Sequence, residues 1–140
     1  MLSGVYAVRS GRPYTVGQSS NNVGQSMTGL PDMASDAEGP KTVDAWFNTA
    51  AFAAVPSGVF GNERRNQLRG PGFQSFDMTL QRLIKFDRCS ATLRWDVFNL
   101  FNTTNFGLPN RNLSDAATFG TISSLSGDAR TMQLAVRFTF

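Results

Sequence analysis

The sequence predicts an all-β chain of antiparallel strands suited to the wall of a transmembrane β-barrel. Three observations carry that expectation. The first is the segment Arg130–Phe140, where Met132, Leu134, Val136, Phe138 and Phe140 share one parity and Thr131, Gln133, Ala135, Arg137 and Thr139 the other. Strand side chains alternate between faces, so this segment has one apolar and one polar face. Its length also suits a tilted strand, which needs about 9–11 residues to cross the hydrocarbon core. The second is composition. Charged residues make up only 16% of the 140, against roughly 25% in soluble domains, and 12 residues are Phe. No run of about 18 apolar residues occurs, which excludes a membrane-spanning helix but not a barrel, because half of each barrel strand faces away from lipid. The third is spacing: strand-like segments are separated by long, short and long connections, the asymmetry of a barrel with long loops on one side and tight turns on the other.

Taken in order, Leu2–Val16 reads as the first strand. Leu2, Tyr6 and Val8 alternate with Ser3, Ala7 and Arg9, although Val5 breaks the polar face. Ser10-Gly11-Arg12-Pro13 disturbs the ladder, since proline lacks a donor, and Tyr14-Thr15-Val16 is expected to resume it. Residues 17–72 read as a long loop rich in Gly, Ser, Asn, Asp and Pro. Within it, Val43–Val55 is apolar enough for a short helix or tucked segment anchored by Trp46, Phe47 and Phe52. Loops beyond about 12–15 residues are uncommon in compact soluble domains.

The second strand is expected near 73–84, with Phe76, Met78 and Leu80 on one face and Ser75, Asp77, Thr79 and Gln81 on the other. Lys85-Phe86-Asp87-Arg88 is a tight turn. The third strand follows near 90–101, with Ala91, Leu93, Trp95 and Val97 opposed to Thr92, Arg94 and Asp96. The two form a hairpin. Keeping both apolar faces together requires paired residue numbers with an odd sum, such as Leu80 beside Leu93 or Trp95, because a one-residue slip flips a whole face. Phe76, Met78, Leu80, Leu93, Trp95 and Val97 are therefore expected to face lipid. Residues 102–129 read as a second long loop, broken by Gly107, Pro109, Gly120 and Gly127, before the last strand near 130–140.

The residues argue against catalysis. The chain has no histidine to act as a base near neutral pH, so Arg94 and Asp96 read as a lumenal charge network and not a catalytic pair. Gly61–Gly72 holds Arg64, Arg65 and Arg69 but lacks the phosphate-loop pattern and leads into a strand, so it reads as a turn-rich loop. Asp32, Asp36 and Glu38 lack calcium-loop spacing, and no His, Cys or carboxylate cluster has metal-ligand spacing. Cys89 is single and sits in a turn, so it gives no disulfide framework. The 13 Lys and Arg are scattered, which argues against a nucleic-acid partner despite the net charge of +3. Met1-Leu2-Ser3-Gly4-Val5-Tyr6 has no secretory-signal character. No catalytic residue, metal or cofactor is expected.

Longer motifs add a resemblance. Gly61-Asn62-Glu63-Arg64-Arg65-Asn66-Gln67-Leu68-Arg69-Gly70-Pro71-Gly72 precedes Phe73-Gln74-Ser75-Phe76-Asp77, and Val97-Phe98-Asn99-Leu100-Phe101-Asn102 is followed by Asn105-Phe106. Ser10-Gly11-Arg12-Pro13-Tyr14-Thr15 and Ala45-Trp46-Phe47-Asn48 lie upstream. Over essentially its whole length the chain resembles the C-terminal end of TonB-dependent outer-membrane receptors. Its nearest likeness is to the Oar-like branch, which carries a carboxypeptidase-regulatory-like domain.

The resemblance implies the last four strands of a larger barrel of about 22 strands around a plug, with two long extracellular loops. It implies a place in the outer membrane of a Gram-negative-type cell and a part in energised uptake of a bulky substrate. The partners it implies are outer-membrane lipid, the barrel-assembly machinery, the remaining barrel and plug, and TonB acting through parts with no counterpart here. Met132, Leu134, Val136, Phe138 and Phe140 resemble the C-terminal signal read by the assembly machinery. The Phe98–Asn102 stretch fits interfacial aromatics with Asn residues starting a turn. Single-chain barrels begin at about 8 strands and an open sheet in lipid leaves unpaired backbone, so the chain is expected to be a truncated reading frame, a fragment or a relic of a larger barrel. Two alternatives are a soluble β-rich binding module and an oligomeric barrel assembled from several short chains.

Overall fold

A computed structural model describes residues 1–19 and 29–140. The stretch 20–28 of the expected first loop lies outside the described residues. Among the described residues eight strands occur in chain order: β1 (Leu2–Arg9), β2 (Pro13–Tyr14), β3 (Asp32–Met33), β4 (Phe52–Ala53), β5 (Leu68–Arg69), β6 (Phe73–Lys85), β7 (Ser90–Phe98) and β8 (Thr131–Thr139). A 3-10 turn, Thr49–Ala51, precedes β4. The described chain is all-β, and these strands pair antiparallel throughout. It divides into two compact units, one of residues 1–10, 72–105 and 125–140, the other of residues 11–71 and 106–124.

The first unit is a four-stranded sheet in the order β1-β6-β7-β8. Its register joins the apolar positions into continuous rows. Leu2 lies opposite Leu80, Leu80 opposite Trp95, and Trp95 opposite Leu134. The neighbouring row is Gly4, Met78, Val97 and Met132, and on the other side of the first row Leu93 stands beside Val136. The hairpin of β6 and β7 thus adopts the odd-sum pairing that the alternation requires. Phe86 N–H donates to the Cys89 carbonyl at 2.8 Å and closes the tight turn.

Two strand ends differ from expectation. The first strand stops at Arg9 and does not run on to Val16. Gly11 packs so closely on the Gly70 backbone that a Cβ would collide with the Gly70 carbonyl, and Pro13 supplies no donor. Tyr14 then pairs with Leu68 in a separate two-stranded sheet, and Tyr14 and Val16 are buried in the second unit. The third strand ends at Phe98 and not at Phe101, because Asn99 turns left-handed at φ 52°, as does Asn102 at φ 51°. Asn tolerates this region better than most residues.

The second unit gathers most of both expected loops into a small folded body. Tyr14, Val16, Ala37, Phe47, Ala51, Phe52 and Phe119 form its core. Phe47 meets Phe52 and Phe119 edge-to-face, with centroids 5.6 and 5.1 Å apart, the geometry aromatic quadrupoles favour. Trp46 packs against this core and donates its indole N–H to the Arg69 carbonyl at 2.8 Å. The buried Gln18 side chain acts like a strand, donating to the Val55 carbonyl at 2.8 Å and accepting from Val55 N–H at 3.0 Å. Gly120 sits at φ 84°, where a side chain would be strained and would also crowd Thr49.

Candidate functional site: a two-faced sheet and its rim

Parity puts Phe76, Met78, Leu80, Leu93, Trp95 and Val97 on one face of the sheet, together with Met132, Leu134, Val136 and Phe138. A soluble sheet buries such a face. Here Leu80, Leu93, Trp95, Met132, Leu134, Val136 and Phe138 are all exposed, with Leu134 at 70%, and Phe140 beyond the strand is exposed as well. Phe76 and Met78 are half-buried. Val97 differs from its row: it is 1% exposed between Met78 and Met132, so it is covered and not open to the surroundings. Towards one end of the face Tyr6, Phe76 and Phe101 cluster, with ring centroids 6.4 and 5.7 Å apart. An apolar surface of this extent marks contact with a partner or a bilayer.

The opposite face is polar. Ser3, Thr79, Asp96 and Gln133 form one row across all four strands. Asp96 is nearly buried; its Oδ1 accepts from Thr79 Oγ1 at 2.6 Å and from Arg94 Nε at 3.0 Å, and its Oδ2 lies 2.9 Å from the same guanidinium. The carboxylate therefore has the partners that a buried charge needs. Arg94 and Asp96 come together as a charge pair. Among the described residues no group of His, Cys, Asp or Glu could hold a metal ion.

The rim of the sheet shows what the Asn-rich motif does. β6 is longer than β7, and its ladder with β7 begins only at Met78. The β6 backbone before that point needs other partners. Leu100 N–H donates to the Phe76 carbonyl at 2.8 Å, and Asn99 N–H to Asp77 Oδ1 at 2.8 Å. Asn105 accepts from Gln74 N–H at 2.8 Å and donates to its carbonyl at 2.9 Å. Asn99 Nδ2 donates to the Asp128 carbonyl at 2.9 Å and to that of Thr103 at 3.1 Å. Arg130 N–H donates to Asn102 Oδ1 at 3.0 Å. Phe98-Asn99-Leu100-Phe101-Asn102 and Asn105 thus finish the sheet by side-chain bonds. Sequence reasoning placed the Asn residues in a turn but did not foresee their substitution for missing strand; the signal was an Asn at each of 99, 102 and 105 just past a strand end. Beside this rim, on the polar side, lies an open cleft of about 490 Å³ bordered by Arg9, Phe73, Asp77 and Asp128, with the Arg9 guanidinium stacked 4.3 Å above the Phe73 ring.

The sequence of residues 1–133 matches the family described as outer membrane beta barrel domain. No curated protein and no solved structure matches the chain. That family places it at the outer membrane, and the exposed apolar rows give the placement a physical basis. With the match running over residues 1–133 of 140, this chain belongs to the outer membrane beta barrel domain family.

Proposed function

We propose that the chain is the C-terminal barrel segment of a TonB-dependent, Oar-like outer-membrane receptor, and that it serves energised uptake of a bulky substrate without itself being an enzyme. The row Leu2–Leu80–Trp95–Leu134 is the observation that supports this most, because it presents apolar side chains from four strands to one side while Asp96, Thr79 and Gln133 face the other. That division suits a wall between lipid and a polar lumen. In this reading β6–β7 turn in the periplasm, and the long connections lie outside the cell. The plug and the TonB contact belong to other parts of the receptor.

Met132, Leu134, Val136, Phe138 and Phe140 act here as the assembly signal. β8 is an edge of the sheet, and its apolar side chains are exposed. An edge strand offers free backbone groups for strand addition, with alternate side chains giving specificity, and this is how the barrel-assembly machinery would engage it. An antibody against Gly61–Gly72 tests the reading on a denaturing gel of the native outer-membrane fraction. A band several-fold larger than 15.3 kDa is expected; a 15.3 kDa band in the soluble fraction overturns the proposal.

A further inference from the structure

We propose that the turn Asn62–Gln67 is a binding site for a phosphate-bearing anion, held by the guanidinium groups of Arg64 and Arg65. The backbone of the turn is anchored at both ends. Asn62 clasps the β3 segment in both directions: its N–H donates to Asp32 Oδ1 at 2.9 Å, and its Oδ1 accepts from Met33 N–H at 2.7 Å. Glu63 N–H donates to the Pro31 carbonyl at 3.2 Å. On the far side Asn66 takes a left-handed φ of 59° and donates its N–H to Thr15 Oγ1 at 2.8 Å. Between these anchors Arg64 and Arg65 are exposed, and with Met33, Asn62 and Gln67 they line an open cavity of about 550 Å³.

The charge at this turn is uncompensated. Among the described residues no carboxylate lies within salt-bridge distance of either guanidinium. Glu63, the acid immediately before them in the Asn-Glu-Arg-Arg run, is turned inward; it is 4% exposed, and its Oε1 accepts from Val16 N–H at 3.2 Å. Burial also pushes its carboxyl up to about 7, which keeps much of its charge off the turn. Asp32 is the other nearby acid, and its Oδ1 is engaged by Asn62. Two planar forks on one cavity match the tetrahedral oxygens and double charge of a phosphate better than one carboxylate. The amides of Asn62 and Gln67 border the same cavity and can donate as well.

Two sources share this chemistry, a dissolved phosphorylated solute and the headgroup of a phosphorylated lipid. The full chain, folded in zwitterionic detergent at low salt, is titrated with inorganic pyrophosphate by calorimetry. Binding is expected, with at least tenfold weakening in Arg64→Gln/Arg65→Gln. The charge-matched control Arg12→Gln/Arg111→Gln, two exposed arginines elsewhere in the same unit, is expected to bind as the parent does. Near-ultraviolet dichroism of the Tyr14–Phe47 core reports that each variant is folded, and Arg64→Lys/Arg65→Lys, which keeps charge but loses the forks, is expected to bind at an intermediate level. Vesicles of phosphatidylcholine with phosphatidic acid that displace pyrophosphate, where phosphatidylcholine alone does not, assign the headgroup. Pyrophosphate binding without such displacement assigns the solute. No binding of either probe, or equal weakening in the control pair, overturns the site.

Discussion

Asn105 holds Gln74 at both poles of its peptide, accepting from its N–H at 2.8 Å and donating to its carbonyl at 2.9 Å. A single side chain thus stands in for a neighbouring strand at the end of β6. Asn105→Ala leaves two partly buried backbone groups unpaired, which costs about 1–3 kcal/mol each at most. The expected outcome is faster amide hydrogen exchange at Gln74 with little change at Leu80 or Trp95. Unchanged exchange at Gln74 would show that the bond pair does not hold this end of the sheet.

The two faces are expected to respond differently to charge. Trp95 lies in the middle of the exposed apolar rows, whereas Thr92 shares the polar face with Arg94 and Asp96. A lysine on the lipid face near the bilayer midplane costs roughly 2–4 kcal/mol, and on the lumenal face far less. Trp95→Lys and Leu93→Lys should therefore block assembly into the outer membrane, read as heat-modifiable mobility on a gel, while Thr92→Lys assembles. Equal effects on both faces would reverse or remove the assigned orientation.

The second unit should behave as a packed body. Phe47 is 2% exposed at the centre of three aromatic contacts, and Phe60 is 68% exposed. Phe47→Ala removes a buried ring and leaves a cavity, for a loss of about 3–5 kcal/mol. Proteolysis within residues 29–71 should then accelerate strongly. Phe60→Ala should leave the digestion rate near that of the parent.

Glu63 gives that unit a pH dependence. Burial raises its carboxyl from 4.5 to about 7, against the opposing bond from Val16 N–H, which favours the ionised form. The folded state therefore holds the proton more tightly than the unfolded chain. Its stabilising contribution is complete below about pH 4.5 and is lost as pH rises through about 7. Tyr14, pushed upward by burial and by Glu63, stays neutral throughout this window. Hydrogen exchange of core amides in the second unit should quicken between pH 5 and pH 8, beyond the intrinsic chemical rate. Glu63→Gln should flatten that excess, and a slope unchanged by this substitution would exclude Glu63 as its source.

The sheet was legible in the sequence because strand alternation is a local signal with a period of two. Phe76, Met78, Leu80, Leu93, Trp95 and Leu134 announce their common face without knowledge of any partner, and the tight turn at Phe86–Cys89 then fixes the register. The second unit was not legible. Its core joins Tyr14, the Phe47–Phe52 segment and Phe119, which lie far apart in the chain and sit among turn formers with no periodicity. Trp46, Phe47 and Phe52 stood out as apolar anchors, but nothing local tells which distant residue they meet. The rim was hidden for a related reason: an Asn that starts a turn and an Asn that replaces a strand have the same composition. Arg64 and Arg65 were visible as charges, while the inward turn of Glu63 that leaves them uncompensated depends on Val16, nearly fifty residues earlier in the chain.

The second unit is discontinuous in the chain, with residues 11–71 supplied before β6 and residues 106–124 after β7. Phe119 therefore reaches Phe47 only after the whole β6–β7 hairpin has been synthesised. Nearby segments meet sooner than distant ones, so the hairpin, closed by a four-residue turn, has the shorter search. The outcome is an assembly order written into the connectivity: hairpin first, aromatic core second. A chain arrested before Phe119 would retain the β6–β7 hairpin, lack β8 and leave Phe47 and Phe52 unsealed, so closure of that core requires that the hairpin sequence has already been made.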